Sequence, residues 1–197
     1  MSDDPLALQQ TRLLIEGAAG MSLPEWSALA PGYRLGVYGR GDDVFAAGQW
    51  QPFVYVLRQG LVKLSYNTEQ GEEWVKSFIG EGDFFACPNV LVAGGKTDYA
   101  AVALEYCLIE QIDFAALQTL TERHPEWQRA IRQLLAVHIV RKERRERELL
   151  TLRPDERYLA FVRGQPDLAA RLQQRDLAHY LGVTPEALSR IRKRLRA

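Results

Sequence analysis

Two rhythms of apolar and polar positions divide the chain. From Tyr33 to Ile112, short β-branched and aromatic runs alternate with turn residues: FVYVL at 53–57, LVKLSY at 61–66, WVKSFI at 74–79 and CLIEQI at 107–112. Gln59-Gly60 separates the first two runs, and Asn67 to Gly71 has the composition of a hairpin loop between the next two. Many short strands with regular, glycine-punctuated turns predict an antiparallel sandwich or barrel. After Pro125 the period changes to three and four. Trp127, Ile131, Leu134, Leu135 and His138 fall on one face of a helix. No Gly or Pro interrupts the 25 residues from Glu126 to Leu150, so the helix would be roughly 37 Å long at about 1.5 Å per residue.

Shorter elements surround these two. Leu6, Leu13, Leu14 and Ile15 predict a helix ending near Gly17–Gly20, and Pro24 and Trp26 open a second, short one before Pro31. Phe114 to Leu120 predicts another, capped by Asp113. Thr151 to Pro154 breaks the long helix, residues 155–162 form the next, and 167–172 read as a short connection. A helix as long as 126–150 calls for something to cover its stripe. A second copy winding with it as a two-stranded coil is the simplest solution, which makes Trp127, Ile131, Leu134, Leu135 and His138 the candidate dimer interface. The alternative is that the stripe packs on the β region of its own chain.

The last stretch, LQQRDLAHYLGVTPEALSRIRKRLRA, carries the candidate chemistry. Leu177, Ala178 and Leu181 lie on one face of a first helix, and Leu188 and Ile191 on one face of a second. Gly182 stands where a tight turn needs positive φ. Val183 is the apolar turn residue, Thr184 a good N-cap, Pro185 suits the first helical position, and Glu186 favours the helix dipole. This is the pattern of a helix-turn-helix. Its second helix then turns basic, with Arg190, Arg192, Lys193, Arg194 and Arg196. An apolar side with a cationic one suits the major groove of DNA, where phosphates attract charge and base edges accept from Arg. The bland alternative is a helix pair with a solvated basic face.

Charge sharpens this picture. The chain of 197 residues has 25 Lys and Arg against 25 Asp and Glu. From Arg141 onward there are 15 against 8, a net of +7, which leaves 10 against 17, a net of −7, before it. An acidic body with a basic end points to nucleic acid contacted by that end alone. Cys87 and Cys107 lack metal-finger spacing and are too few for a four-thiolate iron–sulfur cluster. Free thiols without a signal peptide point to the cytoplasm. No apolar run approaches the roughly 18 residues of a membrane span. A metal-dependent jelly-roll enzyme would need histidines on its strands, yet His124, His138 and His179 all lie outside the β region.

In this order of elements the chain resembles the Crp/Fnr family of bacterial transcription regulators, whose sensor is a cyclic-nucleotide-binding-type jelly roll. YVLRQGLVKLSY (55–66) resembles the family's strand–Gly–strand hairpin, IGEGDFF (79–85) the approach to its phosphate-binding loop, and AVALEYCLIEQID (101–113) the strands that leave it. LAHYLGVTPEALSRIRKRL (177–195) resembles its DNA-reading unit and is the most specific of the four. The resemblance implies an effector pocket around Phe85, Ala86, Cys87, Lys96, Thr97 and Asp98. Nucleotide-binding members place Gly-Glu after GDFF, where this chain has Ala86 and Cys87, and Arg-Ser against the cyclic phosphate, where it has Thr97 and Asp98. A neutral residue and a carboxylate repel a phosphate, so cyclic AMP is not expected to bind. Lys96, one residue away, is the only nearby cation.

The resemblance further implies that Glu186 accepts from cytosine and Arg190 donates to guanine. Arg192, Lys193, Arg194 and Arg196 would meet phosphates, with Ser189 and Thr184 on the same surface. Family members usually add a β-hairpin wing after this helix; the chain ends at Ala197, so the wing is expected to be lacking.

The expectation is thus an α+β chain: a jelly-roll sensor over 1–124, a dimerisation helix over 125–150 and a helix-turn-helix domain over 151–197. It is read as a cytoplasmic homodimer that binds double-stranded DNA at a palindromic operator, with RNA polymerase a further partner the resemblance admits. The effector is not identified; no cofactor, metal, membrane contact or enzymatic activity is expected. A jelly-roll interaction protein that does not bind DNA is the main alternative, and a jelly-roll enzyme a weaker one.

Overall fold

The computed structural model describes residues 8–196. Leu6, counted above in the first helix, lies outside the described residues. The chain forms two compact units. One runs up to Leu64 and resumes over Phe78–Val137; the other takes Ser65–Ser77 and the chain from His138 onward.

The β region is a jelly roll of eight antiparallel strands: β1 (Tyr33–Tyr38), β2 (Asp43–Phe45), β3 (Phe53–Gln59), β4 (Val62–Asn67), β5 (Glu73–Ile79), β6 (Phe84–Phe85), β7 (Ala100–Ala103) and β8 (Cys107–Asp113). They pair in two four-stranded sheets, ordered β1-β8-β3-β6 and β2-β7-β4-β5. Along β3 and β8 successive side chains alternate between faces, and both faces are buried. Tyr55, Leu57 and Ile109 point into the space between the sheets, where Phe45, Phe85 and Tyr99 join them. Val56 and Ile112 point the other way, into a second core with Ile15, Leu29, Leu117 and Trp127.

Helices cover that outer face. α1 (Gln9–Ala19) is followed by a 3-10 turn over Trp26–Gly32; beyond β8 come α3 (Phe114–Arg123) and α4 (Pro125–Thr151). A short α2 (Pro88–Ala93) follows β6. Asp113 caps α3 as its composition predicts, accepting from the Ala116 N–H at 3.1 Å. α1 is held by a carboxylate in the middle of the sheet. Glu110, 0% exposed, accepts from the Gln10 N–H, the Thr11 N–H and the Thr11 hydroxyl at 3.0, 2.8 and 2.6 Å, and from the Arg58 guanidinium at 2.7 Å. Val56 pairs with Glu110 across the strands, so Arg58, two residues on, shares the outer face with the carboxylate.

One expectation fails here. Trp127 is 0% exposed, its ring 4.6 Å from that of Trp26 and its indole N–H donating to the Pro24 carbonyl at 3.0 Å. It is buried by its own chain and offers no surface to a partner. Ile131 and Leu134 also pack against the outer-face core, and His138 is half-buried. The large hydrophobics exposed along α4 are Leu135 at 50%, Val137 at 43%, Ile139 at 55%, Val140 at 63% and Leu150 at 77%.

The second unit contains α5 (Pro154–Gly164), α6 (Pro166–Arg171), α7 (Gln174–Tyr180) and α8 (Pro185–Arg196). Residues 167–172, read as a connection, are mostly helical: Pro166 starts α6 at a position that needs no N–H. Leu177, Ala178, Leu181 and Leu188 form its core with Phe161. Among the described residues no helix is long and apolar enough to cross a membrane, and no three His, Cys, Asp or Glu side chains cluster to hold a metal ion.

The Glu110 anchorage is directly testable. Removing the cation in Arg58→Ala leaves a buried carboxylate with N–H and O–H donors only, and breaking a buried pair in this way costs about 3–5 kcal/mol. Urea unfolding should register that loss; a change below about 1 kcal/mol would show that the α1 donors satisfy Glu110 alone.

Candidate functional site

The C-terminal helix pair is assembled from the turn outward. α7 ends as Leu181 N–H bonds to the Leu177 carbonyl at 2.9 Å, and the Val183 N–H reaches back to the Ala178 carbonyl at 3.0 Å. Between them Gly182 adopts φ +69°, the left-handed conformation that such a C-terminal cap requires. Thr184 then caps α8, its hydroxyl accepting from the Ala187 N–H at 3.2 Å, and Pro185 fills the first helical position. Ala178 and Leu188 are both 0% exposed where the helices meet. Full burial of a leucine contributes about 1.5–3 kcal/mol, so Leu188 fixes α8 against α7.

Burying Leu188 decides what α8 presents outward. Glu186, Ser189, Arg190 and Lys193 are exposed, and their spacing of three and four residues places them on one side of the helix. Glu186 is held below the usual carboxylate range by a hydrogen bond from its own N–H and one from the Thr184 hydroxyl, with the Arg190 charge adding to them. It therefore stays an acceptor, and Arg190 lies one turn along the same face.

Two further cations make contacts within the second unit. Arg192 is half-buried and donates to Gln174 Oε1 at 3.2 Å. Arg194 pairs with Asp155 of α5 at 2.9 Å. Both brace the helix-turn-helix. Arg196 ends α8, and its side chain lies outside the described residues.

Arg145 was missed by sequence reasoning. Within the basic run 141–147 it looks like one solvated charge among several. Instead it donates to the carbonyls of Val75 and Tyr180 at 3.0 and 2.8 Å and lies 3.7 Å from the centre of the Tyr180 ring. It thereby ties the 65–77 segment to α7 within the second unit. The neighbouring Trp74 packs its ring 5.7 Å from that of His179. The only signal in the sequence is position: Arg145 falls seven residues beyond His138, on the stripe of α4.

The jelly-roll interior is occupied by the protein's own aromatic side chains. Tyr55 and Phe85 stack at 4.8 Å, and Phe45 lies 5.4 Å from Tyr55 and 5.6 Å from Tyr99. Burial pushes the Tyr55 phenol up, with the nearby Tyr38 and Cys87 adding to it. Of the six residues of the expected effector pocket, Phe85, Cys87 and Thr97 are buried, Ala86 is half-buried, and Lys96 and Asp98 are exposed. Thr97 stitches the loop before it: its hydroxyl donates to the Ala46 carbonyl at 2.8 Å and accepts from the Gln49 N–H at 3.1 Å. The Cys87 thiol points to Asp98 at 3.5 Å. The Tyr99 hydroxyl donates to the Ala86 carbonyl at 2.6 Å.

Comparison with known proteins agrees with this layout. The family profile of the cyclic nucleotide-binding domain matches residues 36–124. The fumarate and nitrate reduction regulatory protein of Vibrio cholerae is 27% identical over 166 residues, covering 77% of this chain and 64% of the relative. The chain thus spans somewhat less than two thirds of the length of that curated relative. Among solved structures, FixK2 of Bradyrhizobium japonicum superposes with a TM-score of 0.73 at 20% identity, covering 83% of this chain and 84% of that one. A Crp/Fnr-family transcriptional regulator from Thermus thermophilus gives 0.68 at 20% identity, over 83% and 86%.

Proposed function

Because the chain carries a cyclic nucleotide-binding domain, shares ancestry with the fumarate and nitrate reduction regulators and has the Crp/Fnr fold, we propose that it is a DNA-binding transcription regulator acting as a homodimer on a palindromic site. The observation that carries this reading is the capped α7–Gly182–α8 unit, which holds Glu186, Ser189, Arg190 and Lys193 on one open side. The named relatives are regulators and not enzymes.

In this reading α8 enters the major groove. Arg190 donates its two-pronged guanidinium to guanine, and Glu186 accepts from the amino group of a cytosine. Lys193, Ser189 and Thr184 contact phosphate or sugar and set the register. Arg192 and Arg194 hold α8 in place through Gln174 and Asp155. In the dimer the two copies of α4 meet through Leu135, Ile139 and Val140, since Trp127 is unavailable. RNA polymerase and a cytoplasmic setting belong to the same proposal.

The jelly roll works without cyclic AMP. A buried cyclic phosphate keeps its charge and needs a cation and donors in place. Thr97 already uses its hydroxyl, Asp98 adds a negative charge, and packed rings fill the interior.

Arg190→Ala should cost about 1–3 kcal/mol on the preferred duplex and relax specificity at one base pair of each half-site. Lys193→Ala should weaken all duplexes alike and lower the salt slope by about 1. Fluorescence anisotropy across a salt series reads both; equal losses for Arg190→Ala on specific and random duplex would overturn the role given to Arg190. Calorimetric titration with cyclic AMP and cyclic GMP should give no saturable heat. A micromolar dissociation constant, on the order of −8 kcal/mol, that is lost in Lys96→Ala would refute the cyclic AMP reading.

A further inference from the structure

Within the first unit, a cavity of about 110 Å³ lies between the outer face of the β1-β8-β3-β6 sheet and the helices that cover it. Val56 and Ile112 form its floor, Thr11 and Leu14 of α1 one wall, and Ile131 and Leu134 of α4 the opposite one. It is on the other side of the sheet from the aromatic interior: Tyr55, Leu57 and Phe85 face inward, Val56 and Phe84 face the cavity. We propose that this cavity is a binding site for one small, uncharged, apolar molecule, about the size of a single six-membered carbon ring.

The chemistry of the walls selects that class. Thr11 is the one residue of the lining with a polar side chain, and its hydroxyl donates to Glu110 at 2.6 Å. The cavity is left with apolar walls. Water entering it would give up hydrogen bonds without replacement, and a charged or strongly polar ligand would lose far more. For scale, an apolar cavity of about 150 Å³ stays dry yet takes up benzene or xenon. The space here is somewhat smaller, which limits the guest to one small ring or a short branched hydrocarbon.

The cavity is also held open. α1 is pinned to β8 through Glu110, by two N–H groups and a hydroxyl of its first turn. α4 is pinned by Trp127, wholly buried and bonded to the Pro24 carbonyl. Between these pins the floor carries Val54 and Val56, and Ala86 stands at one side. Branched and short side chains there leave space beside their packed contacts with the helices, and the pinned helices cannot sink to close it. An unfilled apolar space in an otherwise close-packed core costs stability, and a guest of matching size restores the missing contacts.

The test uses the whole protein and benzene as the probe. Calorimetry should show saturable uptake of one benzene per chain, with a rise in melting temperature that grows with benzene concentration. Benzoate and cyclic AMP at equal concentration should do neither. Val56→Phe and Ala86→Leu, which fill the space, should each weaken benzene at least about tenfold, a factor of ten in the dissociation constant. Absence of saturable heat, or equal affinity in wild type and the filled variants, overturns the proposal. Should a filled variant not fold, crystals of the wild type under xenon decide it. A single xenon beside Val56, Leu117 and Leu134 supports the site, and none there overturns it. None of these readouts depends on DNA binding, so its failure and that of the regulator reading are separable.

Discussion

The central constraint on this protein is a sheet that buries both of its faces. In β8 the side chains of Cys107 and Ile109 enter one core, and Ile112 enters another, with Glu110 between them at 0% exposure. The inner face is closed by the second sheet. The outer face needs helices, and α1, α3 and the first turns of α4 supply them. That demand consumes Trp127, Ile131 and Leu134, so the exposed apolar positions of α4 begin at Leu135. The same demand explains a buried carboxylate in an apolar face: Glu110 receives the N–H groups at the start of α1 and the charge of Arg58, which makes its burial tolerable.

The two cores of the first unit are filled differently. An interior packed with Phe45, Tyr55, Phe85 and Tyr99 leaves Lys96 and Asp98 at the surface. An apolar cavity lies on the outer face. In the C-terminal unit the logic is simpler. Gly182 at φ +69° and Leu188 at 0% exposure fix how α8 packs on α7, and that packing decides which of its side chains are exposed.

Much of this was legible in the sequence, for physical reasons that vary by element. The runs at 53–57, 61–66, 74–79 and 107–112 correspond to β3, β4, β5 and β8 because β-branched and aromatic residues mark strands that are packed on a pleated surface. β6, two residues long, and β2, three, carry too few positions for any period to register. β7, AAVA, is recovered only through the resemblance. The helix-turn-helix is the most legible part, since a glycine, a cap and a proline each act locally. The apolar stripe of α4 is partly covered by its own chain. Periodicity marks which face of α4 is apolar, but not which stretch of that face its own chain covers, so Trp127 was assigned to the wrong partner. Arg145 and the cavity depend on contacts between segments far apart in sequence, about which composition is silent.

The central claim is that two copies of this chain read DNA together. Selection of bound duplexes from a random pool, followed by sequencing and by sedimentation of the protein alone, tests it most directly. The account expects an inverted repeat whose half-sites are centred about one helical turn, roughly 34 Å, apart, bound by a protein that sediments as a dimer. Leu135→Glu should then give monomers that no longer select the repeat. Enrichment of a single unrepeated motif, or no enrichment together with a wild-type monomer, would contradict it.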